Sequence, residues 1–163
     1  MTIGVSWLEV FVVGMAANFV TDIYEYCLER GLGKRRDWHL VGRWVAYLGR
    51  GLPAHKDINY APAIRHEFAL GWLFHYWVGI YFAALYLIIL AMGLHQPPGL
   101  LSGLAFGLVT VLAPWLILIP GQGGGILARK SARPNFIRLT SLSVHVVFGI
   151  SLYLGTLLYA AIW

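Results

Sequence analysis

Two histidines, His75 and His145, stand inside long apolar stretches, each within a His-x-x-x-Gly-Ile pattern. Imidazole in hydrocarbon is costly without a partner, so an intramembrane histidine points to a site by default. Asp22 and Glu25 place carboxylates in a third apolar stretch. At a rise of ~1.5 Å per residue, Asp22, His75 and His145 each lie about 10–12 Å from a charge that marks one membrane boundary, namely Arg30, Glu67 and Arg138. They are expected to share one layer.

Several chemistries fit such a layer. His75 and His145 could supply imidazole nitrogens to a metal ion, with Asp22 and Glu25 adding oxygen; zinc, iron and manganese suit such N/O ligand sets. The same two histidines could be the axial ligands of a b-type haem, with Gly71, Gly79 and Gly149 making room. The stripe Asn18, Asp22, Glu25, Glu29 recurs at helical spacing and could carry protons or a small solute. Alternatively, each polar group hydrogen-bonds a neighbour and only packs helices. No Ser-His-Asp order, nucleophile elbow or HExxH helix is present, so catalysis has less support, although a His/Asp layer could do acid–base work. The glycine run 121–125 lacks the lysine of a phosphate loop.

The elements that carry these residues are set by composition. Hydrophobic residues make up 59% and charged residues 12% of the 163 residues, with a mean hydropathy of +0.69. That charge fraction is about half that of a soluble domain, roughly 25%. The expected fold is all-α and polytopic: a single domain of four transmembrane helices, about 5–27, 68–92, 100–119 and 141–162, arranged as two antiparallel hairpins. Pro114 should disturb the third span, because proline removes a backbone donor.

Every Lys and Arg falls within 30–65 or 129–138. The positive-inside rule puts both segments in the cytoplasm and both termini outside. The basic balance then reflects anionic lipid headgroups, and nucleic acid need not be invoked. An amphipathic helix over 37–48, capped by Asp37, is expected to lie near the interface or pack under the bundle. Arg35, Arg36, Arg43 and Arg50 are the basic residues expected to face lipid. The first span is too long and too acidic for a cleaved signal peptide. A lone Cys27 excludes an internal disulfide.

Beyond these physical readings, the chain resembles a bacterial family of small four-helix membrane proteins catalogued as a domain of unknown function. The resemblance covers nearly the whole length. It rests on Asp22, Val41-Gly42-Arg43-Trp44, Gly71-Trp72 with His75 and Gly79, Gly107-Leu-Val-Thr-Val-Leu-Ala-Pro-Trp115, Pro120 with Gly123 and Gly125, and His145 with Phe148-Gly149 and Leu152-Tyr153. It implies an inner-membrane protein and carries over no catalytic residue. Glu25 and Glu29 look like additions to the pattern. The polar layer thus points to a metal- or proton-handling protein. The other readings are a haem protein and a non-catalytic subunit that packs against a larger membrane complex or its own copies.

Overall fold

A computed structural model describes residues 5–33 and 37–163. Arg35 and Arg36 lie outside the described residues. Every regular element among those described is helical: α1 (Trp7–Leu32), α2 (Trp38–Leu48), α3 (Glu67–Ile88), α4 (Leu100–Thr110), α5 (Ile119–Gly121) and α6 (Pro134–Ile162). π-helical turns follow α3 at Ile89–Leu94 and precede α5 at Pro114–Leu118. Four helical stretches are long and apolar enough to cross a membrane: Trp7–Leu32, Glu67–Leu94, Leu100–Gly121 and Pro134–Ile162. The protein is therefore an all-α, multi-pass membrane protein.

The helix ends follow local chemistry. Ser6 caps α1 by accepting from the Glu9 amide at 3.0 Å. Gly33 ends it in the left-handed conformation, φ 64°, which glycine adopts without a Cβ penalty. Asp37 caps α2 through the Leu40 amide, as its position predicts. The disturbance at Pro114 is a π turn: with no N–H at that residue, the ladder resets, and the Ile119 amide bonds the Pro114 carbonyl.

Two compact units are built from interleaved segments. The first comprises Met1–Gly33, Tyr76–Thr110 and Val144–Trp163; the second comprises Lys34–His75 and Val111–Ser143.

The first unit is a four-helix bundle. Its core is Val10, Val13, Ala17, Ala83, Tyr86, Leu87, Leu90, Phe148 and Leu152. Close approach is made by glycines. A Cβ at Gly14 would meet the Ile80 backbone, and one at Gly155 would meet Val13. Gly103 and Gly107 of α4 face the Gly149 and His145 backbones of α6. The GxxxG spacing thus serves contact within the chain. Large apolar side chains such as Phe19, Leu101 and Val109 point outward, while Asn18 and Thr21 point inward. A lipid solvent favours that distribution.

In the second unit α2 packs against the start of α3. Added Cβ atoms at Gly42 and Gly71 would each strike the other helix's backbone. The loop after α2 is pinned to the glycine run: the His55 amide bonds the Gly121 carbonyl and the Ile58 amide bonds the Gln122 carbonyl, both at 2.9 Å. Gly123, at φ 101°, lies against the Lys56 carbonyl. The close backbone approach that the glycines permit is to the chain's own loop.

Candidate functional site

Helix α1 turns a polar stripe into the first unit. Asn18 is 2% exposed. It donates from Nδ2 to the Tyr76 carbonyl at 3.3 Å and occupies the space that a side chain at Gly79 would fill. One turn on, the Asp22 carboxylate accepts a 2.8 Å hydrogen bond from the Tyr76 hydroxyl. Thr21 returns its hydroxyl to the Ala17 carbonyl. Glu25, i+3 from Asp22, is 9% exposed. Two carboxylates therefore stand a turn apart on a membrane-spanning helix, Glu25 buried and Asp22 half-buried.

His145 belongs to the same unit. Its Nδ1 lies 2.9 Å from the Thr110 hydroxyl, and that hydroxyl is 2.8 Å from the Gly107 carbonyl. A hydroxyl carries one hydrogen and two lone pairs. With the hydrogen given to Gly107, Thr110 accepts from Nδ1–H.

His75 belongs to the second unit. Its ring lies 4.6 Å from that of Trp38 and 5.8 Å from that of Trp72, centroid to centroid. Among the described residues no three His, Cys, Asp or Glu side chains gather closely enough to hold a metal ion.

The second unit also holds a fork-shaped ion pair. Arg43 donates from Nε and Nη2 to the two carboxylate oxygens of Glu67, each at 2.8 Å. It also reaches the Ala61 carbonyl at 3.1 Å, and Glu67 accepts from the Ile64 amide. The hydrogen bond to Glu67 raises the Arg43 pKa, against the opposing effect of burial. Arg43 was expected to face anionic lipid. It instead turns inward, with its side chain 13% exposed, because Glu67 neutralises it and the loop carbonyls satisfy its remaining donors. Trp44 is likewise buried at 3%, and its indole N–H bonds the Pro53 carbonyl at 2.9 Å. Arg50 stays exposed, its guanidinium 5.5 Å from the Tyr47 ring centre.

Sequence reasoning singled out Asp22, Glu25, His75 and His145 but missed Tyr76, Thr110 and Glu67 as their neighbours or counterparts. A usable signal existed for Tyr76: a phenol deep in an apolar span needs an acceptor.

An all-helical membrane bundle with a half-buried carboxylate–phenol pair is the class that fold and site define. The chain belongs to the family described as a protein of unknown function (DUF2938), which matches residues 11–159. No curated protein and no solved structure matches the chain.

Proposed function

We propose that the chain is a bacterial inner-membrane protein in which Asp22 and Glu25 take up and pass protons on the basic, cytoplasmic side of the bilayer. The observation that carries this reading is the Asp22–Tyr76 hydrogen bond of 2.8 Å, with the buried carboxylate of Glu25 one turn away. A carboxylate in a low-dielectric site favours its neutral form unless hydrogen-bonded. The Tyr76 hydroxyl supplies the Asp22 carboxylate with such a donor. A carboxylate hydrogen-bonded to a phenol, one turn from another carboxylate, has the parts of a minimal relay.

A metal ion on His75, His145, Asp22 and Glu25 has less support, since the described residues offer no three-ligand cluster. The positive-inside rule, applied to the two basic segments, supports both termini outside. Arg50, with Arg35 and Arg36, then contacts anionic headgroups.

The test is proton entry into vesicles holding the purified protein and a pH-sensitive dye, driven by an imposed potential. Wild type should acidify the lumen faster than empty vesicles. Asp22→Asn and Glu25→Gln should each slow entry at least tenfold. Wild-type vesicles no faster than empty ones refute the relay. Co-purification of a larger membrane complex would then favour the accessory-subunit reading.

A further inference from the structure

Tyr81 stands at the middle of the Glu67–Leu94 span, about 20 Å along the helix from either end at ~1.5 Å per residue. It is 48% exposed. Trp77, one turn earlier, is also exposed, and its ring stacks on that of Tyr81 with centres 5.7 Å apart. We propose that this face of α3 is where two copies of the chain pair side by side in the membrane, related by a two-fold axis along the membrane normal.

Depth carries the first step. Tryptophan and tyrosine collect at the two membrane–water interfaces, where the polar tip of the ring meets water. The other exposed Trp and Tyr side chains among the described residues keep to that rule. Trp7 opens α1, Tyr26 lies two turns before its end, Tyr60 sits in the loop before α3, and Trp163 directly follows α6. Hydrocarbon fills about 30 Å of a bilayer, so the middle of a span is far from water and headgroups. A polar group that faces outward there can find a hydrogen-bond partner only in protein.

The hydroxyl selects the kind of protein. Within the chain Tyr81 is engaged through its ring, on Trp77 and, at 6.0 Å, on Phe82. No described residue bonds its hydroxyl. A two-fold axis along the membrane normal leaves depth unchanged, so it brings Tyr81 of one copy level with Tyr81 of the other. A hydroxyl both donates and accepts. This group can therefore bond its own equivalent, which neither an indole nor a carbonyl can do. Ile88, exposed two turns further along α3, extends the same face. The close-approach glycines Gly103 and Gly107 are not available for pairing, because they already face α6.

The test is disulfide trapping of the full chain in cell membranes, with Cys27→Ser removing the exposed native thiol. Ile88→Cys reports on the proposed face. Leu154→Cys is the control: Leu154 is exposed on α6 and lies a similar distance past the middle of its span. On mild oxidation Ile88→Cys should give a product of twice the chain mass at least fivefold more than Leu154→Cys. Adding Tyr81→Phe to Ile88→Cys removes the hydroxyl alone and should lower that yield at least threefold. Equal trapping at both positions overturns the face, and absence of any product overturns the pairing. A yield untouched by Tyr81→Phe overturns the hydroxyl as its basis. An Ile88→Cys product of any other mass assigns the face to a different membrane protein and overturns a second copy as the occupant.

Discussion

Tyr76 meets α1 twice: its hydroxyl donates to the Asp22 carboxylate at 2.8 Å, and its carbonyl accepts from Asn18 at 3.3 Å. The two bonds use different parts of one residue, so they can be separated. Tyr76→Phe removes the first and keeps the second. A hydrogen bond to a charged group contributes about 1.5–3 kcal/mol, and Tyr76→Phe should cost that much in reversible unfolding from detergent micelles. Asp22→Asn should cost less, because an amide oxygen still accepts from the phenol. A Tyr76→Phe protein as stable as wild type would mean that the pair contributes nothing to the fold.

The Arg43–Glu67 fork links α2 to the start of α3, and Arg43 adds the Ala61 carbonyl of the intervening loop. Removing one partner of a buried pair leaves an uncompensated charge and costs about 3–5 kcal/mol. Arg43→Ala should therefore destabilise the second unit by that order and open residues 49–63 to protease. Arg43→Lys should rescue only part, since an ammonium cannot bridge both carboxylate oxygens in one plane. Full rescue by lysine would show that charge alone, without the fork, holds the loop.

Much of the fold was legible, and the exceptions have physical causes. Apolar length located the four spans, and Asp37 announced the start of α2. The helix ends were underestimated because hydropathy registers the hydrocarbon-soluble part of a helix and not its hydrogen-bonded continuation. α6 begins at Pro134 rather than Ser141, and α1 runs on to Leu32. Pro114 signalled a disturbance, while the π geometry depends on which carbonyl the next free amide finds. Helical spacing placed Arg43 on the polar side of α2. It could not reveal that this side meets Glu67, 24 residues away. Asp22 was singled out by its charge, whereas Tyr76 is one of nine tyrosines and its spacing does not set it apart.

Glycine substitutions should separate contact from composition. A Cβ at Gly149 would meet the Gly103 carbonyl, so backbone must yield. Gly149→Ala should destabilise the first unit by about 1–3 kcal/mol, the usual cost of overpacking. Gly31 lies in α1 with open space around it, and Gly31→Ala should be neutral or stabilise by about 0.5–1 kcal/mol through helix propensity. Thermal unfolding of the two variants side by side is the measurement. Equal effects would show that the α4–α6 approach is looser than the glycines imply.

Topology decides from which side the proposed relay fills. The 93–99 connection carries no Lys or Arg, whereas Ala132 sits beside Lys130 and Arg133. Gln96 and Ala132 are both exposed, so cysteines there should react without disturbing a core. Exposed Cys27 must first become serine. In intact spheroplasts a membrane-impermeant maleimide should label Gln96→Cys at once and Ala132→Cys only after permeabilisation. This follows because basic residues next to a span resist translocation. Labelling of Ala132→Cys from outside would invert the protein. The Asp22 and Glu25 carboxylates lie toward the Arg30 end of α1, so inversion would have them take protons from the exterior. Acid-driven entry into vesicles of known orientation would then depend on the outer pH through these two residues, the reverse of the dependence expected here.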